Sequence, residues 1–160
     1  AIYGEGGATN NWDQLNLTIP NVNDSKIIRV SRQNNSGTYA YFKKAVLGKG
    51  KEYKLGSLDM HGSKDVVDLV AKTPGAIGYS GLAYATPEVK MVPVIGTDGK
   101  PVTPSTATAA DGSYPIARPL LMYTSGQPKG KVKEYMDWIL SNDGQKIIMA
   151  KGYAPAKALN

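Results

Sequence analysis

Hydrophobic residues are spaced regularly in the first half of the chain, and their spacing predicts alternating strands and helices. The mainly apolar run 26–31 (KIIRVS) is typical of a strand, and a cluster of turn-forming residues, 33–37, follows it. From Tyr39 to Val46 apolar residues recur three and four positions apart, which predicts a helix that ends at the two glycines beyond it. Strand, polar loop and helix in this order form the basic unit of an α/β fold.

A second unit of the same kind follows. Ser63 is predicted as the N-cap of a helix that ends at the Pro-Gly pair 74–75, and 76–79 (AIGY) is predicted as the next strand. The apolar face of this helix is predicted to comprise Val66, Val67, Leu69 and Val70.

The middle of the chain gives weaker signals. Residues 90–95 (KMVPVI) predict a short strand, and the Asp-Gly pair at 98–99 predicts a tight hairpin turn after it. The rest of 96–114 is rich in Thr, Ala, Pro and Gly and is predicted to be mostly loop. Residues 116–124 (IARPLLMYT) predict a further strand, which Pro119 confines to a sheet edge or a crossing between sheets.

The C-terminal region is predicted to be helical, with one interruption. An amphipathic stripe occupies the i, i+3, i+4, i+7 and i+8 positions, namely Val132, Tyr135, Met136, Ile139 and Leu140. Residues 141–144 have capping chemistry and predict a break, after which 145–150 resume the helix and Gly152 follows its end. Near the N-terminus, Trp12, Leu15 and Leu17 are predicted to form a small apolar anchor.

Composition narrows the class of protein. The 160 residues are 41% hydrophobic and 20% charged, which predicts one globular domain, and the 18 glycines and 10 prolines disfavour a helical bundle. No run of about 18 apolar residues occurs, so no membrane span is predicted. The chain has no cysteine, which excludes disulfides and thiolate metal sites. The net charge is +6, but the lysines are mostly scattered, which favours weak anion attraction over nucleic-acid binding.

The segment 32–38 (RQNNSGT) carries the most informative candidate chemistry. It lies where a predicted strand ends and a helix begins, and the first amides of a helix attract anions. Arg32 adds a bidentate donor, Ser36 and Thr38 add hydroxyls, and Gly37 lets a ligand approach the backbone. The segment therefore predicts an anion socket. On these residues alone, a plain helix cap by Ser36 beside a surface arginine explains the pattern equally well.

The remaining candidates do not indicate an enzyme. His61 is the sole histidine and has no further metal ligands at suitable spacing, so neither a metal nor a cofactor is predicted. No serine stands in a Gly-x-Ser-x-Gly elbow. Asp65 and Asp68 fit a hydrated helix face, and the glycine-rich 74–79 matches neither a Walker loop nor a dinucleotide fingerprint.

Five segments, in order, resemble the PstS-type periplasmic phosphate-binding proteins of bacterial phosphate ABC transporters. They are 11–15 (NWDQL), 31–38 (SRQNNSGT), 74–82 (PGAIGYSGL), 114–124 (YPIARPLLMYT) and 138–155 (WILSNDGQKIIMAKGYAP). The resemblance spans nearly the whole chain. It implies an α/β fold of the type II periplasmic-binding-protein kind, in which one lobe has a three-layer arrangement of a mixed sheet with flanking helices.

The resemblance also implies a function. Such receptors bind inorganic phosphate between two lobes and deliver it to the membrane permease of an ABC importer. By the motif, Arg32, Ser36, Gly37 and Thr38 are the expected phosphate contacts, and Asn34 and Asn35 are expected to lie behind them. The expected location is periplasmic or otherwise extracytoplasmic, with a lipoprotein form as one option; the signal peptide is not in this chain.

Two departures from the family pattern shape the expectations. The chain is expected to begin at about the second lobe and to form a single domain over 1–160, in which 12–115 is the second-lobe core. Residues 116–160 would be the crossover strand and the helices that return to the first lobe in the family, and self-association through these helices, as a homodimer, is expected here. Asn34 stands where the family often has an acid that pairs with the motif arginine.

Three alternatives stay open beside phosphate transport. The first is a binder of another oxyanion, such as sulfate or molybdate, because the carboxylate that would select protonated phosphate is not identifiable from the sequence. The second is a sensor or scaffold domain that keeps the fold without the ligand. The third, a phosphatase, is disfavoured by the shortage of catalytic and metal-binding residues.

Overall fold

The predicted strand at 26–31 forms the centre of a three-stranded parallel sheet. The structure, a computed structural model, describes residues 1–157 and 159. Strand β1 (Ile28–Arg32) lies between β2 (Leu58–Met60) and β3 (Ala76–Gly78), with Val30 opposite Leu58 and Ile28 opposite Ala76. Both pairings are parallel, so each neighbour of β1 is reached by a crossover through a helix, as the α/β class requires.

The sheet belongs to the first of two compact units, Ala1–Lys90 and Met91–Asn160, here called unit 1 and unit 2. Helix α1 (Gly37–Phe42) continues as a π-helical turn over Lys43–Leu47, and helix α2 spans Ser63–Lys72. Two short 3-10 helices cover Asp13–Leu15 and Leu82–Tyr84. The predicted helices and the strands at β1 and β3 are confirmed, whereas β2 was not predicted. The expected division near residue 115 stays a prediction.

One part of the core of unit 1 is the face of the sheet that α2 covers. Val30 and Val66 have exposed fractions of 0% and 1%, and Val67 is also buried. Gly78 lies so close to α2 that a Cβ on it would be 2.8 Å from Cγ1 of Val66. Leu69 and Val70 complete the helix face as half-buried residues, which confirms the predicted apolar side of α2. The predicted N-terminal anchor is only partly correct, because Leu15 and Leu17 are exposed while Trp12 Nε1 donates to Gly75 O at 2.8 Å.

Unit 2 begins with the predicted hairpin, in which β4 (Val94–Ile95) pairs antiparallel with β5 (Pro101–Val102). The strand is shorter than the predicted 90–95. The predicted loop 96–114 contains, besides β5, a helix, α3 (Thr106–Ala110), whose N-cap Ser105 accepts a hydrogen bond from the Thr108 amide.

The predicted strand at 116–124 is wrong. No strand forms there, since Pro119 removes a backbone donor and no strand among the described residues lies alongside to accept pairing. The segment instead exposes its apolar side chains, with Leu120 and Tyr123 at 68% and 86%.

Unit 2 ends with the two predicted helices, α4 (Gly130–Ile139) and α5 (Asn142–Ala150). Ser141 is the N-cap of α5, so this helix begins three residues before the predicted 145. Gly152 has a φ of 80°, as expected just beyond a helix end. The apolar stripe of α4 is largely exposed. None of the helices in the described part of the chain is long and apolar enough to cross a membrane.

Gln145 links the elements of unit 2. Its side chain is fully buried, Nε2 donates to Ile139 O at 2.9 Å, and Oε1 accepts from the Ala156 amide at 2.6 Å. One side chain therefore pairs a carbonyl at the end of α4 and an amide of the C-terminal segment, two backbone groups that burial would otherwise leave unpaired.

Candidate functional site

The loop from β1 to α1 folds as a capped helix start. Ser36 has an extended backbone, and its Oγ accepts from the amides of Thr38 and Tyr39 at 3.2 and 3.4 Å. The Ser36 amide in turn donates to Gln33 O at 2.9 Å, which closes the turn. The Ser36 side chain thus uses two of the amides that an anion at this helix start would otherwise bind, and Gly37 is exposed beside them.

Arg32 ends β1, and its guanidinium is held by the segment between β2 and α2. Nε and Nη2 donate to the carbonyl of His61 at 3.2 and 2.8 Å, and Nη1 donates to Ser63 Oγ at 2.8 Å. A guanidinium has five N–H donors, so two are left for other partners. The side chain is half-buried and takes part in none of the ion pairs found among the described residues.

The prediction of Ser63 as the N-cap of α2 is wrong. Gly62 occupies the cap position, and its amide donates to Asp65 Oδ2 at 2.9 Å. The first helical residue is Ser63, and its hydroxyl accepts from Arg32 instead of capping the helix. The local sequence could not show this, because the competing partner comes from a different strand.

A cluster of five aromatic rings lies behind the end of β1. The rings of Phe42 and Tyr79 stack with centroids 3.9 Å apart, and the Tyr79 hydroxyl bonds to Ser31 Oγ at 2.7 Å and accepts from the Arg32 amide at 3.4 Å. The other members are Tyr3, Tyr39 and Tyr53. The cluster therefore holds the backbone from which the Arg32 side chain extends.

Burial also affects the ionisation of this cluster. It raises the pKa of the Tyr3 and Tyr53 hydroxyls well above the usual value, since the charged form loses contact with water. A hydrogen bond with Tyr79 adds to the rise at Tyr53. The Tyr3 and Tyr53 hydroxyls are therefore protonated at ordinary pH, and packing accounts for the places of Tyr39 and Tyr79 in the cluster.

A cavity lies next to the helix start, and most of its lining comes from the loop itself. Its lining residues are Gln33, Asn34, Asn35, Tyr39 and Asp59. The predicted contacts Arg32, Ser36, Gly37 and Thr38 do not line it. The structure thus places the two asparagines on the cavity, where they were expected to lie behind the contacts. Asp59, on β2, adds a carboxylate that the sequence did not indicate.

His61 contributes its backbone rather than a metal-binding ring. Nδ1 lies 3.2 Å from Oε1 of Gln33, and the ring is exposed. Across the described residues no group of three or more His, Cys, Asp and Glu side chains could hold a metal ion. Local sequence patterns do not show the roles of Ser63, the His61 carbonyl and Tyr79, because these contacts join residues about 30 to 50 positions apart.

The fold and this arrangement agree with one class of binding domain. The family model described as the PBP superfamily domain matches residues 1–143, and the chain belongs to this superfamily. Within it the chain is similar to the "Phosphate-binding protein PstS" of Bacillus subtilis, with 37% identity over 150 residues that cover 93% of the chain and 46% of the relative. The protein of the same name in Pseudomonas aeruginosa is 30% identical over 161 residues, 98% of the chain and 46% of the relative.

Solved structures give the same result. A protein from Clostridium perfringens, assigned to the phosphate ABC transporter substrate-binding proteins and solved with bound phosphate, matches with a TM-score of 0.76 and 31% identity. The match covers 93% of this chain and 58% of that one. The expected α/β fold of the periplasmic-binding-protein kind and the resemblance to PstS proteins are therefore confirmed. The chain spans about half the length of the curated relatives it matches.

Proposed function

We propose that this chain binds inorganic phosphate and is part of a substrate-binding protein of a phosphate ABC importer. The observation that carries the proposal is the half-buried Arg32, which has two unused N–H donors and stands four residues before the capped start of α1. The names of the similar proteins support phosphate as the ligand. Arg32, Ser36, Gly37 and Thr38 are the proposed contacts, with Asn34 and Asn35 beside them.

The physical case rests on charge and donor geometry. A planar guanidinium offers paired donors that match two oxygens of a tetrahedral anion. The helix start carries partial positive charge although Ser36 Oγ occupies the amides of Thr38 and Tyr39, and the Thr38 hydroxyl and the exposed backbone of Gly37 add polar contacts. The neutral partners of Arg32 leave its charge uncompensated, so the anion supplies the balancing charge.

Asp59 supports phosphate over a fully ionised oxyanion. Asp59 lines the cavity beside Asn34 and Asn35, next to the proposed contacts rather than among them, and a carboxylate accepts a hydrogen bond only from a ligand that carries a proton. Phosphate near neutral pH carries one, whereas sulfate does not, so sulfate would leave the carboxylate facing a like charge. A titration with sulfate in place of phosphate should therefore give weaker binding. Asp59→Asn should reduce the difference in affinity between phosphate and sulfate.

The main experiment is an NMR titration of the 160-residue chain with inorganic phosphate. We expect the amide signals of Gly37 and Thr38 to shift with a dissociation constant in the millimolar range, because an anion in contact with water binds weakly. Arg32→Ala should weaken binding by about 2–5 kcal/mol, which removes the shifts. Arg32→Lys should also lose most of the binding, since an ammonium group lacks the paired donors.

Arg29→Ala is the matched control. Arg29 lies on the same strand and is also half-buried. It donates at 3.1 Å to the carbonyl of Leu55, in the segment that leads to β2. This variant should keep the phosphate-dependent shifts. Binding that persists unchanged in Arg32→Ala, or an equal loss in Arg29→Ala, would remove the assignment of Arg32.

The further expectations about partners and location belong to the same proposal. A phosphate importer needs a membrane permease to receive the ligand, and the Clostridium perfringens relative is assigned to an ABC transporter. We place the chain outside the cytoplasmic membrane, in the periplasm or on the cell surface. Binding rather than catalysis is the proposed activity, since the similar proteins are named as binding proteins.

We also propose that unit 2 associates with a second copy of the chain. Its segment 120–123 and helix α4 expose apolar side chains, among them Leu120 at 68% and Tyr135 at 62%, and apolar patches of this kind mark interaction surfaces. Size exclusion with light scattering at tens of micromolar should give a dimer mass, and Leu120→Lys should reduce it. Leu55→Lys, at a 92% exposed position of unit 1, is the control that should leave the mass unchanged. A monomer mass for the unaltered chain would contradict this part.

A further inference from the structure

The contacts of the Arg32 guanidinium come from the segment between β2 and α2 and are all neutral. Two guanidinium nitrogens share the His61 carbonyl, and the third donates to the hydroxyl of Ser63. An acidic side chain that accepted hydrogen bonds from the same N–H groups would compensate the positive charge of Arg32 and compete with a bound anion. A carbonyl and a hydroxyl fix the side chain without either effect.

We propose that Ser63 is a positioning residue that fixes the guanidinium of Arg32 for anion binding. The proposal rests on the proposed function, because Ser63 acts through Arg32. Two hydrogen bonds to His61 O hold the edge of the guanidinium formed by Nε and Nη2. Among the described residues, Nη1 is held only by Ser63 Oγ. Removing this hydroxyl frees one end of the group, so the side chain samples orientations that do not bind the anion.

The position of Ser63 is itself well determined. It is the first residue of α2, which packs on the sheet through the buried Val66 and Val67. Its carbonyl accepts from Ser80 Oγ at 3.0 Å, a contact that comes from the end of β3. Helix α2 and the end of β3 therefore both fix the position of the hydroxyl that contacts Arg32. A fixed acceptor of this kind lowers the conformational entropy that Arg32 loses on binding.

Ser63→Ala tests the role with little effect on the fold. Ser63 does not cap α2, and alanine has a higher helix propensity than serine, so the free energy of unfolding should not fall through the helix itself. The first measurement, made without phosphate, is the exchange of the Arg32 Nε–H with water by NMR. We expect exchange about tenfold faster in Ser63→Ala, because the bond to His61 O opens more often.

The second measurement is a titration with inorganic phosphate. Ser63→Ala should weaken binding about fivefold, and Ser63→Thr, which keeps a hydroxyl, should restore most of the affinity. In the Arg32→Ala background, Ser63→Ala should have no further effect on any residual binding. Ser57→Ala is the control, since the Ser57 hydroxyl has no hydrogen-bond partner among the described residues.

The outcomes separate this proposal from the proposed function. Unchanged Nε–H exchange in Ser63→Ala, or an equal change in Ser57→Ala, overturns the positioning role. Faster exchange together with weaker phosphate binding supports it. If the unaltered chain shows no phosphate-dependent shift while Ser63→Ala speeds the exchange, Ser63 positions Arg32 as proposed and the assignment of phosphate is what fails.

Discussion

Gly78→Ala should destabilise unit 1 because β3 runs directly against α2. The added Cβ would lie 2.8 Å from Cγ1 of Val66 and 3.0 Å from Cγ2 of Val70, whereas carbon atoms in contact prefer about 3.5–4.0 Å. Val66 is buried and cannot turn toward water. Either the helix or the strand must therefore move by several tenths of an ångström. Overpacking of this kind costs about 1–3 kcal/mol of the free energy of unfolding.

The assay is urea denaturation followed by circular dichroism, with Gly81→Ala as the matched control. Gly81 has a φ of −67° and a Cβ there would meet only Tyr84, at 3.5 Å, so this variant should unfold close to the unaltered chain. A double-mutant cycle identifies the cause. Val66→Ala removes the closest methyl group, so the cost of the double variant should be about 1 kcal/mol less than the sum of the single costs.

Equal urea midpoints for Gly78→Ala and the unaltered chain would refute this reasoning. That result would mean that α2 does not pack against β3 at the distance observed. A large loss without coupling to Val66 would also contradict it, because the strain would then come from elsewhere. The outcome bears on the candidate site, since β3 pairs with β1 and Arg32 is the last residue of β1.

Two further predictions concern buried polar side chains. Burial raises the pKa of Tyr3, so the folded chain keeps a proton that the unfolded chain loses above about pH 10, and stability should fall as the pH rises past that value. Urea midpoints measured across this range should show a smaller fall for Tyr3→Phe, and an unchanged slope would contradict the prediction. Gln145→Leu leaves Ile139 O and the Ala156 amide unpaired and should cost about 2–4 kcal/mol, with the exposed Gln127→Leu as its control. A loss under 1 kcal/mol, on the order of one ordinary hydrogen bond, would show that water replaces the Gln145 contacts.

The parts of the fold that sequence patterns predict are those whose cause is local. Strand β1 and helix α2 carry apolar residues at their own periods, and the Asp-Gly pair marks the turn between β4 and β5. Strand β2 escapes prediction because it has three residues, and two of them, Leu58 and Asp59, are exposed. Helix α3 escapes because it has only five residues and begins at a Ser105 cap within a segment of loop-like composition.

The failures at longer range share one physical reason. Residues 116–124 have the composition of a strand, but an extended segment becomes a strand only when a neighbour completes its hydrogen bonds. The same limit applies to the candidate site. The motif at 32–38 predicts donors for an anion, whereas the contact of Arg32 with Ser63 depends on how β1 and β2 pair. The resemblance to a family supplied the expected ligand contacts, and it gave no indication of Asp59.

The order of strands in the sheet has a consequence for how the chain folds. β1 pairs with β2 across the Val30–Leu58 register and with β3 across Ile28–Ala76, and no strand in the described part of the chain forms a hairpin with it. Both contacts require closure of long loops, so we expect folding on the order of milliseconds to seconds rather than microseconds. During synthesis, Arg32 leaves the ribosome well before Ser63 and Tyr79, and the candidate site therefore forms only after β3 has been made.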